Sequence, residues 1–181
     1  MRFPAKMPKR RSWIESIGVR APALTPAPTA LIFRLPPRSR LRRALILWWV
    51  RASYQVVNRR DFELALLAQD PDTLISWTAE ASDPIPPDLV GSEFRGHEGF
   101  RHIWEIWLEA FDDLRIEPEE VSDLGGNRLL IAYRSVGRGT ASGALVDQRG
   151  FTIYTFRRGK VVRQEFFVER EQAEQAAGLA A

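Results

Sequence analysis

GHEGFRHIWEIWLEAFDDLRIEPEEVS, residues 96–122, contains a change of period that decides the fold. In its first half Phe100, Ile103, Trp104, Trp107, Leu108 and Phe111 recur at three- and four-residue steps, with Arg101, Glu105, Glu109 and Asp112 opposite. That spacing predicts an amphipathic helix opened by Gly96-His97-Glu98-Gly99. After it the apolar residues alternate, the period of a strand. Candidate strands run over Leu114–Ser122, Arg128–Gly137, Ala144–Arg157 and Lys160–Glu169, with turns at Gly125-Gly126-Asn127 and Arg158-Gly159. Glu169–Ala177 reads as a closing helix stopped by Gly178.

Upstream of residue 96, Leu45, Trp48, Trp49, Ala52 and Val56 give a helix over Ala44–Arg60. Asn58-Arg59-Arg60-Asp61 breaks it, and Asp61 caps a short helix over Phe62–Ala68. Asp70-Pro71-Asp72 reads as a turn, Thr73–Glu80 as a strand, and Asp83-Pro84-Ile85-Pro86-Pro87 as a loop. Helices first, then a meander of long strands, then a last helix is an α+β layout rather than an alternating one. Strands of this length curl, and a set of about three helices must cover one face of the sheet.

The chain has 181 residues, 45% hydrophobic and 27% charged, which fits one globular domain with a tail. Without cysteine there is no disulfide framework, thiolate metal site or cysteine nucleophile, and two histidines nearly exclude a zinc site. No cofactor or metal is expected. The longest apolar run, Ala44–Val50, is far short of the ~20 residues of a membrane span, so the expectation is a cytoplasmic protein without membrane partners.

Charge divides the chain. Residues 1–43 carry a net +10 and seven of the twelve prolines, and the remainder carries −7. The expectation is a disordered Arg/Pro-rich tail over 1–43 ahead of a domain over 44–181. Three readings of the tail stay open. One is an arm for nucleic acid or another anionic surface, the sole route by which nucleic acid enters as a partner. Another is a transit peptide. The third is a mis-called translation start near residues 40–50, in keeping with 23 arginines against 3 lysines, the bias of a GC-rich genome.

Four stretches carry a resemblance. Tyr54-Gln55-Val56-Val57-Asn58-Arg59-Arg60-Asp61 resembles the "YEAFNRGD" helix end of SnoaL-like proteins in the nuclear transport factor 2-like superfamily. Phe94-Arg95-Gly96-His97-Glu98-Gly99-Phe100 is similar to their "rGheG" helix entry. Gly137-Arg138-Gly139, Ser142-Gly143 and Tyr154–Val162 resemble their final strands, and Glu169–Leu179 their "dreeALeaaGL" ending. The resemblance spans residues 44–179 in order. It implies a cone-shaped α+β barrel, a curved antiparallel or mixed sheet wrapped around about three helices, with an apolar cavity open at one end. It also implies a homodimer formed through the outer sheet face.

Enzymes of this fold act on small apolar molecules: steroid isomerases, polyketide cyclases, scytalone dehydratase and an epoxide hydrolase. They use one carboxylate raised in pKa by an apolar cavity, together with donors for an enolate. The resemblance therefore implies binding of a small, largely apolar ligand, with cofactor-free proton transfer of the isomerase or cyclase kind. The alternative is a non-catalytic binding or dimerisation module. Asp83 and Glu80 are the candidate bases near the end of the first strand. Thr152 stands near the isomerases' second acid, where a hydroxyl can donate one hydrogen bond. The isomerases' helix-one tyrosine aligns at Ser53, beside Tyr54.

Trp77, Trp104 and Trp107 read either as core or as the wall of an aromatic-lined pocket. Thr152, Tyr154 and Phe156 face inward by resemblance. Gln164 interrupts the apolar face of Val162, Phe166 and Val168, marking ligand contact or the wet end. Arg134 shares a face with Leu130, Ala132 and Val136 and can clamp a carboxylate. His97 reads as a helix-opening polar group and His102 as surface, about 140° apart on a helix and so unable to share a metal. The glycines between 137 and 143 join strand to strand and so form no phosphate cradle. Ser142 is one place late for a nucleophile elbow.

Overall fold

The computed structural model describes residues 26–78 and 87–179. Its helices are α1 (Pro26–Arg34), α2 (Arg40–Asn58), α3 (Phe62–Leu66), α4 (Gly96–Ala110) and α5 (Arg170–Ala177). Its strands are β1 (Gln69–Thr78), β2 (Glu93–Arg95), β3 (Phe111–Gly125), β4 (Arg128–Gly139), β5 (Leu145–Arg157) and β6 (Lys160–Phe167). They form one mixed sheet in the order β2-β1-β6-β5-β4-β3, in which only β1 and β6 run parallel. This is the α+β cone that the resemblance implies.

One sheet face carries α2, α3 and α4. Ile46, Trp49 and Val50 of α2 pack on Val121, Leu129, Ile131 and Phe156, and Phe100, Ile103 and Trp107 of α4 pack on Ile75, Trp77 and Leu114. The opposite face is apolar at one end as well. There Leu130, Ala132, Phe151, Ile153 and Phe167 lie beneath Ala173 and Ala177 of α5. Residues 129–133 are consequently all buried, and alternation along β4 disappears.

Local chemistry fixes the joints. The Ser39 hydroxyl accepts from Arg42 N (3.1 Å) and the Asp61 carboxylate from Leu64 N (3.2 Å), capping α2 and α3. Asn58 Nδ2 donates to Ile116 O and Asn58 Oδ1 accepts from Ile116 N, both at 2.8 Å, so the end of α2 is stitched to β3 as a strand would be. Gly96 has φ +67°, and a Cβ there would sit 2.8 Å from Pro71 O, so the entry into α4 needs glycine. At the other end, α4 passes into β3 at Phe111 without a loop.

Apart from small shifts at element ends, the elements differ from the sequence reading in four places. β1 begins at Gln69 rather than Thr73: Asp70-Pro71-Asp72 lies inside the strand, where the pairing with β6 shifts register between Gln69 and Leu74. β2, too short to show a period, pairs with β1. β3 starts at Phe111 rather than Leu114. The last difference concerns the head. Residues 26–43 are not disordered, because α1 buries Thr29 and Ile32 completely and α2 starts at Arg40. Residues 1–25 lie outside the described residues.

Candidate functional site

Between the helices and the sheet lies a cavity of about 90 Å³. α2 supplies Trp48, Trp49, Ser53 and Tyr54, and α3 supplies Leu64 and Ala65. Trp77 comes from β1, and Phe100, Trp104 and Trp107 come from α4. Tyr133 and Ser135 enter from β4, Tyr154 from β5, and Gln164 and Phe166 from β6. The helical and strand periods both aim these rings inward, where they meet stacked, tilted or edge-on. Trp77 lies 4.6 Å from Phe166, Trp49 5.4 Å from Tyr154, and Tyr54 6.2 Å from Tyr133, centroid to centroid. Phe62 stacks on Trp104 at 5.5 Å, and Arg101 Nε donates to Glu63 Oε1 at 2.9 Å, so α3 is held against α4 beside the cavity.

The polar groups are few and neutral. Gln164 Nε2 donates to Gln69 Oε1 at 2.8 Å, both side chains buried. Burial raises the pKa of all three phenols. Tyr154 is pushed up to about 12, an effect the neighbouring Tyr54 hydroxyl partly offsets. For Tyr54 the neighbouring Tyr154 and Tyr133 add to the effect of burial. Three protonated phenols are hydrogen-bond donors at any ordinary pH. The indole N–H groups of Trp49 and Trp77 are buried without a partner. Among the described residues no carboxylate, imidazole, ammonium or guanidinium lines the cavity, and no group of metal-ligating side chains is present.

Tyr54, Trp77, Trp104, Trp107, Tyr154, Gln164 and Phe166, separated by up to 112 positions, meet in this one cavity. Three of the expected residues do not line it. Phe156 lies behind the wall, 4.9 Å from Phe33 and 4.8 Å from Trp49. Arg134 projects from the other sheet face, where it does clamp a carboxylate, that of Asp147 in its own chain. Thr152 is completely buried; its hydroxyl lies near enough to the Tyr133 phenol to act against the rise in that pKa but reaches no hydrogen-bond geometry. Glu80 and Asp83 lie outside the described residues.

His97 is neither a cap nor a cavity residue. α4 has no side-chain cap, and His97 Nε2 is buried without a partner. His102 is at the surface, 3.6 Å from Glu105. Sequence reasoning missed Tyr133 and Gln69. Gly150 was the available signal for Tyr133: a Cβ there would stand 2.5 Å from the phenol oxygen, so β5 leaves room for the ring.

A SnoaL-like domain family matches residues 50–164. TerC, crystallised with polyporic acid, is 19% identical with a TM-score of 0.56, over 71% of this chain and 95% of its own. An NTF2-like protein of unknown function from Burkholderia pseudomallei is 21% identical with a TM-score of 0.57, over 70% of this chain and 92% of its own. Rv0760c from Mycobacterium tuberculosis, in complex with estradiol-17beta-hemisuccinate, is 17% identical with a TM-score of 0.53, over 67% and 92%. At these identities the solved structures establish a shared fold. No curated protein sequence matches.

Proposed function

This chain belongs to the SnoaL-like domain family, and on that premise we propose that its cavity binds a small, largely apolar molecule bearing an oxygen that accepts hydrogen bonds. The observation that carries the reading is the lining itself: aromatic walls with three protonated phenols and no charged group among the described residues. Apolar area supplies the affinity, and the donors orient the one polar end. The ligands present in the TerC and Rv0760c crystals are of this general kind and support the proposal.

Proton transfer of the isomerase or cyclase sort is the fuller form of the proposal. Its favouring observation is the cluster of Tyr54, Tyr133 and Tyr154, whose hydroxyls would steady an enolate oxygen. The base would come from Asp83 or Glu80, and Thr152, which does not line the cavity, would act only through Tyr133. The neutral lining favours the non-catalytic reading. Turnover lost in either Asp83→Asn or Glu80→Gln, with binding kept, would decide for catalysis, and turnover unchanged in both would remove these two bases.

Binding is measurable by tryptophan fluorescence, since Trp48, Trp49, Trp77, Trp104 and Trp107 all line the cavity. An estradiol-sized ketone or phenol is expected to quench it, a hydrocarbon of the same shape to bind about tenfold more weakly, and Tyr154→Phe to narrow that gap, the worth of one buried hydrogen bond. Equal affinity for ketone and hydrocarbon would remove the phenols from the site. The homodimer implied by the resemblance, formed through the outer sheet face, belongs to the same proposal.

A further inference from the structure

Residues 16–60 contain nine arginines and not one aspartate or glutamate. Within that acid-free stretch α1, the turn after it and the first turn of α2 form a corner. Arg42 turns inward there, while Arg34, Arg38, Arg40 and Arg43 are exposed. Among the described residues, these four side chains have no ion-pair or hydrogen-bond partner. Arg40 and Arg43 stand in the first turn of α2, where the unpaired N–H groups of the helix already place positive potential. A cation costs stability at that end of a helix, and α2 has no acid in its first turn to offset it. The same corner exposes Leu31 by 45% and Leu41 by 54%.

We propose that this corner docks the protein on an anionic lipid surface. The arginines supply the attraction to phosphate-bearing headgroups, and the two leucines enter the interface between them. A nucleic acid would engage the arginines equally well, but a phosphodiester backbone gives Leu31 and Leu41 nothing to contact, so the leucines favour lipid. The residues ahead of the corner have the same sign, with Arg2, Lys6, Lys9, Arg10, Arg11 and Arg20 against Glu15. No helix among the described residues is long and apolar enough to cross a membrane, so the contact is peripheral.

The test is co-sedimentation of the full chain with vesicles of phosphatidylcholine alone and of phosphatidylcholine mixed with phosphatidylserine, alongside a gel-shift assay on a short DNA duplex. Partition onto the mixed vesicles only is expected. Replacing Arg34, Arg38, Arg40 and Arg43 together by Gln should lower it by several hundred-fold, at about fivefold per charge. Leu31→Ser with Leu41→Ser should lower it by about a further tenfold. All six side chains are surface groups, and an unchanged thermal midpoint certifies each variant. Three results overturn the proposal. The unmodified chain ignores phosphatidylserine, the four-arginine variant partitions like the parent, or the leucine variant partitions unchanged while DNA binding follows the arginines.

Discussion

Tyr54, Tyr133 and Tyr154 are all the tyrosines of the chain, and all three converge on the cavity. Their titration therefore reports on the site with no background. Each pKa is raised above the ordinary 10, chiefly by burial, so the folded state holds its phenol protons where the unfolded chain has released them. Stability is thus fully present below pH 10 and falls as pH rises from 10 through the folded values, Tyr154's being about 12. Tyrosinate absorbance of the native protein is expected to stay flat past pH 10, then rise together with unfolding. A reversible midpoint at 10 in the folded protein would mean that the phenols are solvated and the donor cluster does not exist. Tyr54 and Tyr154 were legible from the motifs around them. Tyr133 was not, because β4 is apolar on both faces between residues 129 and 133, and alternation could not tell Arg134's side of the sheet from the cavity side. Alternation therefore puts Arg134 at the site and passes over Tyr133.

At the scale of elements, period carried α2, α4 and the long strands, and composition misled about α1. A dense set of prolines argues for disorder only when they fall inside elements. Pro26 and Pro28 sit in the first turn of α1, where a missing N–H costs nothing, and Pro36 and Pro37 form the turn that follows. The prolines here delimit a helix. Arg42 shows what holds it. Arg42 Nε and Nη2 grip Asp123 of β3 at 2.6 and 2.7 Å, Nη1 donates to Leu35 O at 2.9 Å, and the guanidinium lies 5.3 Å from the Phe33 ring centroid. Both partners of the pair are nearly buried, at 4% and 13% exposure. Arg42→Ala would leave the Asp123 carboxylate buried beside the empty space, a loss of about 3–5 kcal/mol. Arg42→Lys would recover under half of it, since one ammonium cannot span both carboxylate oxygens and the Leu35 carbonyl. Urea unfolding midpoints give both values. A loss below about 1 kcal/mol for the alanine variant would mean that the corner is held by Ile32 and Phe33 alone.

For the whole molecule, the outer sheet face decides how two copies could meet. In the implied dimer that face is shared, yet its apolar end is already occupied. α5 covers Phe151 and Ile153, Arg128 Nη2 donates to Ala176 O at 2.9 Å, and the Arg170 guanidinium lies 5.2 Å from the Phe151 centroid. What remains open is the charged end, where Arg134 pairs with Asp147 and Arg149 Nε meets Glu119 Oε2 at 2.7 Å. Arg134 holds the Asp147 carboxyl below its usual pKa, so the pair stays charged at any working pH. Arg and acid side chains are interspersed across β3, β4 and β5 on this face, and a shared two-fold face would need each to meet its opposite on the partner. Two copies meeting there would be joined by exposed ion pairs, which salt screens within about 10 Å at 0.1 M. Sedimentation velocity should then show a dimer at low ionic strength that dissociates as salt rises, and Arg134→Glu should dissociate it at any salt. A dimer indifferent to both would have to form elsewhere or displace α5. A second measurement separates those two cases: Ala173→Arg, which forces α5 off the sheet, would change the displaced-helix dimer and leave the other intact.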